Sequence, residues 1–149
     1  MLPVSFLKVN KPVSGQRVIP ERVARQIRKM LETVVSIDGS GKRAAIRGYK
    51  VIGKTGTSHK FVRGGYSDDR YLSVFAGIAP ASEPRFAMVV LIDEPRGDDH
   101  FGGLVAAPVF SRVMEGTFRI LNIPPDDLPA FTSPIMANSH TPDELQGFD

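Results

Sequence analysis

The pentapeptide Gly53–Thr57 (Gly-Lys-Thr-Gly-Thr) holds residues whose types and spacing could do chemistry, and it fits two incompatible kinds of site. Extended back to Gly48, it completes Gly-x-x-x-x-Gly-Lys-Thr, the pattern of a P-loop, whose backbone amides cradle phosphate groups. Extended forward from Lys54, it is Lys-Thr-Gly-Thr, which sets an ammonium and two hydroxyls around a residue without a side chain. Such a set can hold a substrate carboxylate. The flanking residues must decide between the two sites.

The P-loop interpretation gains from the apolar run Met88–Ile92, because two acidic residues follow it and could hold magnesium at a strand end. Three requirements of a P-loop nevertheless fail. The segment before Gly48 is charged rather than a buried strand, and Tyr49–Ile52 is strand-forming where an irregular loop is needed. The residues after Thr55 are polar and glycine-rich, where a helix must begin so that its amides meet the phosphates. The sequence therefore disfavours nucleotide binding.

The carboxylate interpretation agrees with the strand pattern. Tyr49–Thr55 predicts a short strand ending in the motif, so Lys54 is expected to project from a sheet edge towards solvent or a cleft. Thr55 and Thr57 add hydroxyl donors, and Gly56 leaves room for a peptide to lie against the strand. The backbone N–H of Thr57 could then donate to an oxyanion. For the triplet Lys-Thr-Gly by itself, however, an exposed hairpin strand with a solvated lysine and a turn glycine is the favoured interpretation.

Two further strands are predicted beyond the motif. Tyr71–Ala79 is apolar on both faces, and Phe86–Ile92 is continuously apolar, which favours a central strand covered on both sides. The short connection between these two strands predicts an antiparallel hairpin. Residues 59–69 are polar and rich in glycine and predict a long loop.

Two helices complete the predicted fold. Residues 20–36 have one apolar face, and an amphipathic helix is predicted over Leu104–Leu121, whose positions Val109, Val113 and Phe118 are expected to need a partner. The predicted fold class is α/β of the α+β type, an antiparallel sheet with the C-terminal helix packed on it. Residues 1–125 are expected to form one domain portion, and residues 126–149 a disordered tail.

Four longer stretches resemble the C-terminal part of class B penicillin-binding proteins, a group in which Lys-Thr-Gly is a signature motif. They are Gly48–Thr57, Phe75–Ala81, Pro84–Val90 and Phe101–Phe110. The likeness is greatest to the cell-division, septal type, a peptidoglycan D,D-transpeptidase, and it extends in order over most of the chain. The resemblance implies a partial transpeptidase fold of the penicillin-binding, serine β-lactamase-like type.

In that family a serine attacks the D-Ala-D-Ala peptide bond, forms an acyl-enzyme and passes the acyl group to an amine of a neighbouring stem peptide. β-Lactams acylate the same serine. The resemblance implies that Lys54, Thr55 and Thr57 orient the carboxylate of substrate or drug, and that the Thr57 backbone N–H is one oxyanion donor. It also implies a place near the cleft for Phe101, for which a packing role is an equal alternative. His100 departs from the aromatic residue expected there.

The nucleophile of the family lies in Ser-x-x-Lys at the start of a core helix, and Ser-x-Asn follows on a loop. One Ser-x-x-Lys occurs here, at Ser5–Lys8, in an extended segment flanked by prolines, and we interpret it as coincidence. Ser-x-Asn does not occur. We therefore expect the chain to begin after both motifs and to be inert alone. It should self-associate or pair with the N-terminal part of the domain, because apolar surface would be exposed.

Other catalytic arrangements have less support. The histidines have no Gly-x-Ser-x-Gly partner. Two adjacent aspartate pairs lie in glycine-rich segments without metal-ligand spacing, so neither a metal nor a cofactor is expected. The histidines are His59, His100 and His140, and the aspartate pairs are Asp68-Asp69 and Asp98-Asp99.

Composition limits the remaining possibilities. The 149 residues are 42% hydrophobic and 23% charged, with a net charge of +3, which is ordinary for one globular domain. The sequence has no Trp and no long basic run, so nucleic-acid binding is not expected. The absence of cysteine excludes disulfides and a thiolate nucleophile. No signal peptide or membrane span is visible. The resemblance nevertheless implies a parent protein anchored in the bacterial inner membrane, with its catalytic domain in the periplasm.

Overall fold

A three-stranded antiparallel sheet in the order β1-β2-β3 is the framework of the chain, whose residues 15–128 are described by a computed structural model. Its elements are α1 (Glu21–Thr33), a 3-10 turn (Lys42–Ala44), β1 (Ile52–Val62), β2 (Gly65–Ala79), β3 (Phe86–Asp93), α2 (Gly102–Val105) and α3 (Ala107–Ile120). The predicted fold class, an antiparallel sheet with the C-terminal helix packed on it, is confirmed.

The core lies between the sheet and α3. Alternate residues of β2 point towards the helix, and the rings of Phe75 and Phe110 meet edge to face with centroids 5.0 Å apart. Phe118 is only 1% exposed, so the expectation that it needs an outside partner is wrong. Val109 and Val113 remain half-exposed, because they lie on the flank of α3 that faces away from the sheet.

Residues 59–69 do not form the predicted loop. β1 and β2 pair continuously from Ile52↔Ile78 to Val62↔Gly65, with one irregularity between His59 and Phe61. Gly64 and Gly65 make the turn with φ of 109° and 136°, values that favour glycine. The sequence did not indicate this hairpin because its residues are mostly polar. Neither of its faces is covered, so the strands lack the apolar alternation that marks a half-buried strand. We call residues 59–71 the arm.

β3 is not the central, doubly covered strand that its apolar sequence predicts. β2 lies in the middle of the sheet, and β3 has no strand on its outer side among residues 15–128. Val89 and Leu91 are 68% and 58% exposed on the face opposite α3. We call this surface the open face. A continuous apolar run indicates burial in some context, but it does not indicate which strand is in the middle.

The helices differ from prediction mainly in their ends. α1 matches the predicted helix, although none of its residues is fully buried. The predicted helix over Leu104–Leu121 is divided into α2 and α3 at Ala106, because Pro108 has no N–H to continue the α2 ladder. Within the part of the chain that the structure describes, no helix has the length and apolarity needed to cross a bilayer.

Residues 126–128, which the sequence assigns to the tail, pack against the domain. The Asp126 carboxylate accepts hydrogen bonds from the backbone N–H of Lys50 at 2.8 Å and of Ser82 at 3.0 Å. The Asp127 N–H donates to the Gly48 carbonyl at 3.0 Å. The rest of the predicted tail, including His140, lies outside the described residues, as does Ser5–Lys8.

Candidate functional site

The Lys-Thr-Gly-Thr segment lies in β1, which is an edge strand of the described sheet. β1 continues through Thr57 to Val62, so the helix that a P-loop requires after Lys54-Thr55 is absent. This geometry rules out the nucleotide-binding interpretation.

The backbone of Thr55 and Thr57 points away from β2. The carbonyl oxygens of Gly56 and Val74 lie close together between β1 and β2. Their closeness follows from Gly102, where an added Cβ would be less than 3.0 Å from both oxygens. Gly56 and Val74 face each other, and they are therefore a directly hydrogen-bonded pair. Because bonding direction alternates along an antiparallel strand, the N–H and C=O groups of Thr55 and Thr57 lie on the outer edge.

Two hydroxyls flank this edge, and each has a defined partner. Thr55 Oγ1 lies 3.0 Å from the hydroxyl oxygen of Ser40, in the loop after α1. Thr57 Oγ1 accepts a hydrogen bond of 3.0 Å from the backbone N–H of Gly102, the first residue of α2. Since that N–H occupies an acceptor position of the Thr57 hydroxyl, the hydroxyl hydrogen remains available for another acceptor.

Lys54 reaches the same edge from the other face of the sheet. Its side chain alternates with those of the two threonines, and its ammonium donates to the Thr55 carbonyl at 2.8 Å. That carbonyl points outward, so the ammonium lies beside the outer backbone of β1. The structure thus brings together one cation, two hydroxyls and the Thr57 N–H, a set that can bind an anionic carboxylate next to an extended peptide.

Phe101 lies immediately before α2, and its side chain is 55% exposed. A row of rings continues from it, since Phe101 and His100 have centroids 4.5 Å apart and His100 stacks on Tyr71 at 3.9 Å. The buried hydroxyl of Ser73 donates to the His100 carbonyl. These contacts fix the segment that carries Phe101 against the base of the arm.

Three residues that hold the site were not identified from the sequence. Ser40 and Gly102 bond the two threonines, and Ser73 holds His100, yet all three are distant from the motif in sequence. Gly102 lies within the stretch Phe101–Phe110 that carries the family resemblance, and this is the one signal that pointed towards it. No local pattern distinguishes Ser40 or Ser73.

The other candidate residues have structural roles in the arm or in loops. His59 stacks on Tyr71 with centroids 4.8 Å apart, and its Nδ1 lies 2.7 Å from the Ser67 carbonyl oxygen. The Ser67 hydroxyl donates to Asp69 at 2.6 Å and thereby lowers the pKa of that carboxyl. Asp98 and Asp99 are exposed in the loop between β3 and α2.

An ion cluster not anticipated from the sequence lies where the arm meets β3. The Lys60 ammonium is 2.8 Å from an Asp93 carboxylate oxygen and 2.7 Å from one of Glu94. Arg70 lies 3.7 Å from Glu94. Hydrogen bonds to Asp93 and then Glu94 raise the pKa of Lys60 above its ordinary value of 10.5.

We expect the Lys60 ammonium to titrate above pH 10.5 in the folded chain. Because the folded pKa is the raised one, the stabilisation by the pair is fully present below pH 10.5 and is lost as the pH rises through the folded pKa. NMR titration of the Lys60 side chain measures this midpoint. A variant with both Asp93→Asn and Glu94→Gln should bring the midpoint down, and an identical midpoint in the two proteins would contradict the cluster.

The antiparallel sheet with its C-terminal helix is the fold of a penicillin-binding protein transpeptidase domain. The chain belongs to the penicillin-binding protein transpeptidase domain family, whose model matches residues 1–115. The resemblance given by the four sequence stretches is thereby confirmed.

Individual relatives agree with this assignment. The chain is 46% identical over 126 residues to the peptidoglycan D,D-transpeptidase FtsI of Escherichia coli K12, covering 85% of this chain and 21% of that protein. It is 44% identical over 128 residues to the probable peptidoglycan D,D-transpeptidase PbpC of Pseudomonas aeruginosa, covering 86% of this chain and 23% of that protein. The chain thus spans about a fifth of the length of these relatives.

A solved structure supports the fold. The apo transpeptidase domain of Burkholderia pseudomallei penicillin-binding protein 3 superposes with a TM-score of 0.75 at 45% sequence identity. The match covers 86% of this chain and 39% of that domain structure. The arrangement of β1–β3 and α3 is therefore a portion of a larger transpeptidase fold.

Proposed function

We propose that this chain supplies the substrate-holding strand of a serine-type peptidoglycan D,D-transpeptidase that cross-links stem peptides in septal cell-wall synthesis. The observation that carries the proposal is the outer edge of β1, where the Lys54 ammonium lies beside the outward-facing backbone of Thr55 and Thr57. The relatives named as D,D-transpeptidases support the reaction class.

In the proposed reaction, the carboxylate of a D-Ala-D-Ala stem peptide or of a β-lactam binds Lys54 and the hydroxyls of Thr55 and Thr57. The serine attacks the carbonyl carbon of the penultimate D-Ala, and the Thr57 N–H stabilises the oxyanion that forms. The C–N bond breaks, the terminal D-Ala leaves, and the acyl group passes to the amine of a neighbouring stem peptide. Phe101 borders the substrate in this proposal, because it is exposed and directly precedes Gly102, whose N–H bonds the Thr57 hydroxyl.

The serine and the remaining cleft wall are supplied by the rest of the transpeptidase domain, which we propose as the partner of this chain. Two surfaces of the chain could contact that partner. β3 has no neighbour on its outer side within residues 15–128. The open face has an apolar groove of about 290 Å³ between α1 and the sheet, with Leu31, Ile52 and Ile78 in its lining. The parent protein would lie in the bacterial inner membrane with this domain in the periplasm.

The same surfaces predict the behaviour of the isolated chain. We expect it to be catalytically inert and to self-associate through β3 and the open face. Light scattering after gel filtration should detect dimers or larger species. A monodisperse monomer that unfolds in one sharp transition would contradict the self-association. Labelling by a fluorescent penicillin that is lost in Ser5→Ala would contradict the inertness and assign the nucleophile to Ser5.

A chimaera tests the proposed function directly. The 126 matching residues of Escherichia coli FtsI are replaced by those of this chain, and the purified protein is treated with fluorescent penicillin. We expect covalent labelling, and rescue of septation in cells depleted of FtsI. A folded chimaera that is neither labelled nor able to rescue would instead favour a non-catalytic interaction module of the same fold.

A further inference from the structure

The arm needs support that strand pairing alone does not provide. β3 pairs with β2 only as far as Leu72↔Asp93, whereas β1 and β2 continue to Val62↔Gly65. The sheet therefore narrows from three strands to two, and residues 59–71 project beyond it. A two-stranded hairpin is only marginally stable in water. Contacts at the base of the arm must hold its direction relative to the sheet.

Lys60 makes the contact that crosses the sheet. It lies on the β1 side of the arm, while its carboxylate partners are Asp93, the last residue of β3, and Glu94. Because β2 lies between β1 and β3, the Lys60 side chain spans the middle strand. Arg70 extends the cluster from the second strand of the arm to Glu94 at 3.7 Å. Both strands of the arm are thus tied to the end of β3.

The cluster and the carboxylate-binding edge share one strand. Thr57 precedes Lys60 by three residues, and the outer side of β1 has no neighbouring strand among residues 15–128 to hold it. Besides its pairing with β2 and the stacking of His59 on Tyr71, this stretch has two contacts beyond the hairpin, namely the Gly102 N–H on the Thr57 hydroxyl and the Lys60 cluster. Release of the second contact would allow the arm to swing and would move the Thr57 N–H with it.

We propose that Lys60 is a positioning residue, which together with Asp93 and Glu94 holds the arm against the end of β3 and so fixes the outer edge of β1. The importance of that edge for acyl transfer rests on the proposed function. The mechanical role of Lys60 is a property of the chain itself and is testable without catalysis.

Amide hydrogen exchange of the 149-residue chain tests the mechanical role. In Lys60→Met, the amides of the arm should exchange about threefold to tenfold faster, because a networked ion pair is lost at the base of the hairpin. Lys60→Arg keeps the charge and should restore slow exchange. Arg63→Met is the matched control, since Arg63 is exposed at the tip of the arm and has no ion pair among the described residues.

The salt dependence of hydrogen exchange distinguishes an effect of the ion cluster from an effect of side-chain packing. At about 1 M NaCl, where the Debye length is about 3 Å, the arm of the unmodified chain should exchange faster. The arm of Lys60→Met should respond less, because only the Arg70–Glu94 pair remains to be screened. The proposal is overturned if Lys60→Met and the unmodified chain exchange alike, or if Arg63→Met loosens the arm as much.

The consequence for the site is measured in the FtsI chimaera. Lys60→Met should slow penicillin acylation about threefold to tenfold through misplacement of the β1 edge, and Lys60→Arg should recover it. A loosened arm with an unchanged acylation rate would overturn the positioning role. An unmodified chimaera that is not acylated would contradict the proposed function instead, and hydrogen exchange of the chain would still decide the role of Lys60.

Discussion

Gly102→Ala is expected to lower the free energy of unfolding of the chain by about 1–3 kcal/mol, the usual cost of forcing atoms into a packed site. A Cβ at this position would lie less than 3.0 Å from the carbonyl oxygens of Val74 and Gly56, and backbone atoms cannot rotate away. α2 must therefore move off the sheet. That movement breaks the hydrogen bond from the Gly102 N–H to Thr57, so the FtsI chimaera should also lose acylation by penicillin.

Gly116→Ala is the matched control for this substitution. Gly116 lies in α3, and an added Cβ would meet nothing within 4 Å. Because alanine favours a helix over glycine by up to about 1 kcal/mol, this variant should be unchanged or slightly more stable and should acylate normally. Thermal or urea unfolding gives the free energies. Equal stability of Gly102→Ala and the unmodified chain would show that α2 is not held tightly against the sheet.

Lys54→Met should slow acylation of the chimaera by about 30-fold to 1000-fold. Removing one partner of a charge pair costs about 2–4 kcal/mol of interaction free energy, and each 1.4 kcal/mol in the activation free energy corresponds to about a factor of ten in rate. The Lys54 side chain is exposed and its bond is to the carbonyl of Thr55, its own neighbour. The free energy of unfolding should therefore change by less than about 0.5 kcal/mol.

Lys50→Met separates the specific role of Lys54 from a general effect of positive charge. Lys50 is an exposed lysine just before β1, so the substitution removes the same charge a few residues away. Its acylation rate should stay close to that of the unmodified chimaera. Equal losses in the two variants would mean that the charge acts at long range, and an unaffected Lys54→Met would remove Lys54 from the proposed site.

The part of the site that is contiguous in sequence could be predicted, and the part assembled across the fold could not. Lys54, Thr55 and Thr57 were identified because one strand presents them within four residues. Ser40 bonds to the Thr55 hydroxyl from a loop 15 residues away, and Gly102 bonds to the Thr57 hydroxyl from the start of α2, 45 residues away. Residue type gives no sign of such a contact, since a serine in a loop or a glycine at the end of one is usually there for the turn alone.

The sequence also did not predict the order of the strands or the length of the β1–β2 hairpin. The apolar run of β3 favoured a central strand, but position within a sheet depends on which strands pair, and sequence periodicity carries no information about pairing. The arm was missed for the opposite reason. Its polar residues suit a hairpin whose two faces both meet water, and the same composition suits a loop.

The sequence by itself determined that Lys54-Thr55-Gly56-Thr57 lies on a strand rather than at the start of a helix, because strand-forming residues precede it and poor helix formers follow. The four stretches around this motif also determined the family. Only the tertiary structure decided which groups of the motif face outward, because that depends on pairing with β2. It likewise showed that Gly102 holds the Thr57 hydroxyl and that Lys60 ties the arm to β3, since both contacts join segments that only folding brings together.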